Sequence, residues 1–409
     1  MILLHTSDWH LGHTWCGQSR RGEFLSFFDW VIETVQNHKV DVLLIAGDIF
    51  DTATPTAETQ SDYFNFLERI SNTGCQTVIV AGNHDSPQLL DAPAQLLSRI
   101  NVTVHGIPTN AEDELITIKN NLGEPTILIG AVPFLRDADI RQFELDESIN
   151  DRESRTLDGI KKHYANLCQN AEQLREGKDI PLVVTGHLFA AGGKTSEGVR
   201  DIHVGRLGRV GLDVFPDEID YLALGHLHIP QKINNKENRR YSGSPLIMSF
   251  DESNQNKSAV LIKFKGRNPE IEILNIPQKI FAAKIEGNLN EIENAINNLP
   301  KNTEAFVEII YTDTTPIPNL IQSVDNLLTN LENKKQINIT RIKNENNTSQ
   351  TILKNNQTES LEKIKPLEIF KRLLDTKKIT DNYIKENEEL LIKNYLEIEE
   401  EILQENKGK

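Results

Sequence analysis

The residues best suited to chemistry in this chain are oxygen and nitrogen donors gathered in five short motifs. They are Asp8-Trp9-His10, Gly47-Asp48-Ile49-Phe50-Asp51, Gly82-Asn83-His84-Asp85, Gly186-His187 and Gly225-His226-Leu227-His228. No cysteine stands in any of them, so the donor set of carboxylate, amide and imidazole suits manganese, magnesium, iron or zinc. One ion is saturated by four or five such groups. Asp8, His10, Asp48, Asn83, His187, His226 and His228 are enough for a pair of ions sharing a carboxylate. Ions roughly 3.5–4 Å apart can clamp both the attacking and the leaving oxygen of an in-line displacement at phosphorus. A lone His after a Gly is usually a turn residue; five such motifs in one chain reverse that expectation.

What must position these donors is a set of apolar runs that each end at a motif. Ile2 to Thr6 leads to Asp8, Asp41 to Ala46 to Asp48, Thr77 to Ala81 to Asn83, Leu182 to Thr185 to His187, and Tyr221 to Leu224 to His226. Continuous Val/Ile/Leu runs are strands buried on both faces, and open α/β sheets place chemistry at the carboxyl ends of strands. The ends should therefore converge. Between them, Phe24, Phe27, Phe28, Val31, Ile32 and Val35 form a helical stripe, and Phe64, Leu67 and Ile70 a smaller one. Residues 154–174 read as a further helix and 258–276 as closing β structure.

After Pro277 the pattern changes to strands at 280–285, 305–311 and 337–342 with helical stretches at 289–299 and 320–331 between them, a small α/β module. Residues 343–362 are rich in Asn, Thr and Gln and read as a linker. A helical pair follows over 363–409. Leu367, Phe370, Leu373 and Leu374 mark its first helix, and Leu391, Tyr395, Ile398 and Ile402 its second. The expected division is 1–276, 277–342, 343–362 and 363–409.

The five motifs, in this order, resemble the calcineurin-like metallophosphoesterases, and Tyr241-Ser242-Gly243-Ser244-Pro245 adds a likeness to the SbcD-type nuclease subunits within them. The resemblance implies an α/β fold in which a metallophosphoesterase β-sandwich is flanked by helices, followed by a capping domain and a C-terminal helical hairpin. It implies that Asp8, His10 and His228 hold one metal, that Asn83, His187 and His226 hold the other, and that Asp48 bridges them. It makes His84 the catalytic histidine, with Asp51 as the acceptor that orients it. By the same resemblance the ions are two manganese, with magnesium as the alternative. The activity is cleavage of DNA, exonucleolytic (3'-5') from duplex ends and endonucleolytic on single strands and hairpins. The partner is an SbcC-like SMC-type ATPase, met by the hairpin, with two copies of this chain in a heterotetramer. Alternatives are a metallophosphatase or small-molecule phosphodiesterase and a non-catalytic scaffold, the latter disfavoured because every ligand position is filled.

Net charge of −16 from 44 Lys and Arg against 60 Asp and Glu is awkward for a chain that binds nucleic acid, since cations usually supply the nonspecific affinity. Binding is thus expected to rest on the bound ions, on a partner, and on local arginines such as Arg20, Arg21, Arg136, Arg141, Arg200, Arg206 and Arg209. Cys16, Cys75 and Cys168 lack pair spacing and read as free thiols in a reducing, cytoplasmic setting. No apolar run reaches 18 residues, the first ligand leaves no room for a cleavable signal, and no G-x-x-x-x-G-K-[ST] loop is present, so nucleotide-driven steps fall to the partner. His5, His13, His38, His105, His163 and His203 read as structural or solvated, and Asp85 as a helix N-terminal acid.

Overall fold

The computed structural model describes residues 1–344 except 16, 121, 141–148, 197–209, 301–303, 314–316, 318 and 330–336, together with Ile392 and Tyr395. In chain order the first region runs through β1 (Ile2–Thr6), β2 (Thr14–Trp15), β3 (Gln18–Ser19), α1 (Arg21–His38), β4 (Val42–Ala46), α2 (Ala57–Ser71) and β5 (Gln76–Val80). It continues with α3 (Pro87–Asp91), α4 (Ala94–Leu97), β6 (Val102–His105), β7 (Leu115–Lys119), β8 (Pro125–Gly130), α5 (Asp137–Ile140) and α6 (Ile149–Arg175). Then come β9 (Leu182–His187), β10 (Tyr221–Gly225), β11 (Gln231–Ile233), β12 (Lys236–Tyr241), β13 (Ser258–Lys265) and β14 (Asn268–Asn275).

These strands form two six-stranded sheets, ordered β14-β13-β1-β4-β5-β6 and β11-β12-β10-β9-β8-β7. In each sheet the four motif-side strands run parallel, with antiparallel strands at the edges. The apolar runs are β1, β4, β5, β9 and β10, and Leu3, Val42, Leu44, Val78, Val80, Val183 and Ala223 fill the space between the sheets. The outer faces carry helices. Phe24, Phe27, Phe28, Val31 and Val35 of α1 pack on the first sheet as the stripe requires, and α6 covers the second with Ile160, Tyr164, Leu167 and Ala171. On α2 the buried stripe is Tyr63, Phe66, Leu67 and Ile70, whereas Phe64 is exposed. The three- and four-residue steps place Phe64 one position off the buried face.

Beyond Ile276 a second core forms from β15 (Ile280–Gly287), α7 (Leu289–Asn297), β16 (Glu304–Tyr311), α8 (Leu320–Thr329) and β17 (Ile337–Asn344), whose strands make one parallel sheet. Asn288 and Glu291 close a capping box at the start of α7. Ile285, Ile292, Ile296, Val307, Ile309 and Val324 are its interior. It joins the first region through Trp15, Ile247, Phe250, Ile280 and Phe306. Residues 345–409 form a separate unit. The expected hairpin lies outside the described residues apart from Ile392 and Tyr395, which are helical. Among the described residues no helix is long and apolar enough to cross a membrane.

His5 shows how tightly the two sheets close. On β1 it is fully buried, with Nδ1 3.0 Å from the hydroxyl of Tyr221 on β10. Burial lowers its pKa to about 3. The folded chain therefore holds it neutral while the unfolded chain protonates it below its ordinary pKa of about 6.5. The stability it supports is complete above that value and is lost as pH falls toward 3, by up to about 1.4 kcal/mol per pH unit. In chelator-treated protein, urea unfolding between pH 7 and pH 4 should show a shallower pH slope for His5→Asn than for wild type; equal slopes would refute the assignment.

Candidate metal centre

The carboxyl ends of β1, β4, β5, β9 and β10 meet, and the loops leaving β1 and β4 are laced together by their main chains. Asp8 N–H donates to the carbonyl of Gly47 (2.9 Å), His10 N–H to that of Asp48 (3.0 Å) and Leu11 N–H to that of Ile49 (2.9 Å). Asp8, His10, Asp48 and His226 all have positive φ, at 54°, 48°, 51° and 102°. Such conformations cost roughly 1–3 kcal/mol each and persist only where the surroundings over-determine them. Trp9 is part of that determination: fully buried against Phe27, Phe28 and Phe66, it anchors the loop between the two donors of its motif. The glycines record how closely these loops and strand ends approach. A Cβ on Gly225 would overlap the carbonyl oxygen of Ala46, and one on Gly82 would overlap Asp48.

All seven sequence-nominated ligands come together. His10 Nε2 lies 3.1 Å from His228 Nε2, and Asp8 completes that cluster. On the other side His187 Nε2 lies 2.9 Å from Asn83 Oδ1, and Asp48, His187 and His226 form the second cluster. Asp48 sits between them, with Oδ2 3.6 Å from His10 Nε2 and 3.3 Å from His187 Nε2. His226 Nε2 is buried without a hydrogen-bond partner among the described residues. Buried imidazoles and carboxylates crowded at these distances, with one Nε2 orphaned, are what a pair of divalent cations would satisfy. The residues present fit two such ions sharing Asp48.

Electrostatics at the centre follow from Asp48. Although burial opposes its charge, His187 and His10 hold its carboxyl well below the ordinary carboxylate range. Burial likewise opposes charge on His187, but Asp48 more than offsets it and raises the pKa to about 9. On His226 burial, then His187, outweighs the opposing pull of Asp48 and lowers the pKa to about 3.

Surrounding atoms fix the donors. His187 Nδ1 donates to the Ala46 carbonyl (3.0 Å), which turns Nε2 toward Asn83 and Asp48. Asp8 accepts from the His226 amide (2.8 Å) and from Ser7 Oγ, which also contacts Ser242 (2.7 Å). Asp85 proves to be a clamp: its carboxylate accepts from the amides of Ile49 (3.1 Å), Phe50 (2.9 Å) and Gly82 (2.8 Å), tying the β4 loop to the β5 loop. Burial, reinforced by Asp48, raises its pKa to about 6.

Two expectations need correction. His84 Nδ1 donates to the main-chain carbonyl of Asp51 (2.8 Å), while the Asp51 carboxylate lies 3.3 Å from His10 Nδ1 and 3.2 Å from His13 Nδ1. The side chain thus faces the candidate ligand His10 and His13, and it is the backbone of Asp51 that holds His84. Asp51→Asn is therefore expected to weaken cation binding about 10–100-fold by isothermal titration, the usual cost of losing a ligand's orienting carboxylate. Unchanged binding would detach Asp51 from the centre. Arg20, expected as a surface contact for nucleic acid, is buried, pairs with Glu23 (2.6 Å) and lies 5.0 Å over the Trp15 ring. Arg21 pairs with Glu58 and Asp62, and Arg136 with Asp139. Arg141, Arg200, His203, Arg206 and Arg209 lie outside the described residues.

Comparison with known proteins agrees with this centre. Residues 1–230 match the family described as calcineurin-like phosphoesterase, and residues 283–378 match one described as type 5 capsule protein repressor C-terminal domain. The chain is 31% identical over 386 residues to the SbcD component of the SbcCD nuclease of Escherichia coli K12, covering 93% of this chain and 94% of that one. It is 33% identical over 270 residues to the protein of the same name from Bacillus subtilis, covering 65% and 66% respectively. A dimetal phosphatase from Danio rerio aligns over 68% of this chain and 99% of its own at TM-score 0.36 and 10% identity, too slight a likeness to build on. With the ligand set assembled and the Escherichia coli relative matched nearly end to end, the chain belongs to the calcineurin-like phosphoesterase family, in the branch of the SbcD components of SbcCD nucleases.

Proposed function

We propose that this chain hydrolyses phosphodiester bonds of DNA at the Asp8–His228 centre, with manganese in both positions, as the nuclease subunit of a complex with an SbcC-like SMC-type ATPase. The observation that carries the reading is the Asp48 carboxylate set between two complete clusters of donors. When bound, the cation pair supplies an activated water and neutralises charge developing on the phosphate. The chain's own residues do the rest. Asp8, His10 and His228 hold one position, Asn83, His187 and His226 the other, and Asp48 spans them.

His84 is the group for the leaving oxygen. Its Nδ1–H is spent on the Asp51 carbonyl, so Nε2 is the atom left to meet substrate and, when protonated, to donate. Its main-chain amide donates to Asp48 (2.8 Å), so the acid and the bridging ligand keep a fixed spacing. The neighbouring arginines that are described are engaged in internal pairs, which leaves affinity for DNA to the ions and the partner. Cleavage is 3'-5' exonucleolytic from duplex ends and endonucleolytic on single strands and hairpins, in the cytoplasm, by two copies of the chain in a heterotetramer.

The discriminating assay offers purified chain end-labelled single-stranded and hairpin DNA beside an aryl phosphodiester, with manganese and with chelator. Metal-dependent DNA cleavage supports the reading. Cleavage of the aryl ester alone, persisting after the ATPase partner is added, would favour a small-molecule phosphodiesterase instead. For the partner, deleting residues 363–409 is expected to abolish co-purification with the SbcC-like ATPase; retention at the full-length level would rule out the hairpin as the contact.

A further inference from the structure

Behind His228, on the side away from His10, lies a buried ion pair that no motif announced. Glu252 and Lys257 are 0% and 1% exposed, and Lys257 Nζ donates to Glu252 Oε2 (2.5 Å), to the carbonyl of His228 (2.9 Å) and to Ser244 Oγ (3.0 Å). The other oxygen, Glu252 Oε1, accepts from Ser196 Oγ (2.5 Å) and lies 3.6 Å from His228 Nδ1. His228 Nδ1 is itself buried and has no hydrogen-bond partner within normal distance among the described residues. Its Nε2 faces His10. Glu252 Oε2 also accepts from the amide of Met248 (3.0 Å), so the carboxylate is fixed by two neighbours in its own segment, Met248 and Lys257, and by the distant Ser196.

A ligating imidazole binds through one nitrogen only if the other carries the proton, and a carboxylate facing that second nitrogen fixes both the tautomer and the ring. Charge drawn from Nε2 by a cation makes Nδ1–H a stronger donor, which shortens contacts that are long without it. Burying an unpaired carboxylate there would be costly, and Lys257 removes that objection while also gripping the main chain of His228 itself. The pair therefore grips His228 by its carbonyl and sets a carboxylate oxygen facing its ring.

We infer that Glu252, held by Lys257, is a positioning residue of the Asp8–His10–His228 cation position, accepting from His228 Nδ1 so that Nε2 is presented to the metal. The inference rests on the two-cation reading of the centre, and not on what the enzyme cuts. Its test reads cation binding. Manganese titration of full-length protein, followed by electron paramagnetic resonance and calorimetry, should show two tight ions in wild type. In Glu252→Gln one ion should bind about 10–100-fold more weakly while the other keeps its affinity. Two ions at wild-type affinity in the variant would overturn the inference. Equal weakening of both with a lowered melting temperature would also overturn it, because the pair would then merely support the fold.

A measurement on the wild type guards against a variant that fails to fold. In zinc-loaded, 15N-histidine-labelled protein, the His228 signal, identified by its absence from His228→Gln, should show a proton on Nδ1 shifted downfield by a carboxylate acceptor. A His228 protonated on Nε2, or one with no hydrogen-bonded Nδ1 proton, would contradict the assignment. A chain that shows the split affinities yet leaves DNA uncut would uphold Glu252 and remove only the substrate.

Discussion

His84→Gln protein is expected to keep both cations and to cleave DNA about 10²–10⁴-fold more slowly, the usual worth of a positioned general acid. The separation of effects follows from how His84 is held. What it contributes to the bridging ligand comes from its backbone, the amide donating to Asp48 at 2.8 Å, and glutamine keeps that bond. What it contributes to substrate comes from its ring, fixed by the Asp51 carbonyl and packed edge-on against His10 at 4.6 Å between centroids. Glutamine can fill that space but cannot carry the proton. Metal content by mass spectrometry and single-turnover cleavage on the same preparation check the claim. His84 also falls within reach of His10 and Asp48 as a third cluster of donors. Loss of one ion from His84→Gln would therefore make His84 a ligand and withdraw it as the acid.

Asp48→Asn is the second large effect, and it falls on binding before chemistry. This carboxylate lies between His10 and His187 and is held ionised by them despite burial. Removing one partner from a buried set of charges costs roughly 3–5 kcal/mol, which as an affinity is on the order of 10²–10⁴-fold. Because the group is shared, both ions should weaken together, unlike Glu252→Gln, where one should. Asparagine keeps the shape, so the circular dichroism spectrum should not change. Retention of one ion at full affinity would show that Asp48 serves a single position and does not bridge.

The centre was legible in the sequence to the extent that one strand end writes one motif. Each of these five candidates follows its own apolar run, and the runs are buried strands whose ends meet, so the gathering of Asp8, Asp48, Asn83, His187 and His226 could be expected without knowing how the sheets pack. The α1 stripe and the alternation of strands and helices after Pro277 were readable for the same reason, since both are local periodicities. What could not be read depends on contacts between segments. The Asp51 carboxylate meets His10 and His13 because the β1 and β4 loops lace together, and nothing in Gly-Asp-x-x-Asp says which histidine its last residue faces. Asp85 looks like a helix cap until two amides from another loop reach it. Arg20 looks like a free surface cation until Glu23 and Trp15 enclose it. Glu252 and Lys257 stand in no motif at all, and only the approach of the 244–257 segment to His228 gives them a role.

The most direct test of the whole account is electron paramagnetic resonance of the full-length protein titrated with manganese. Two donor clusters sharing Asp48 predict two ions per chain and, at saturation, the multiline spectrum of an exchange-coupled pair that disappears in Asp48→Asn. A six-line spectrum of isolated ions at every ratio, or saturation at one ion per chain, would contradict a shared carboxylate and the phosphodiester chemistry built on it.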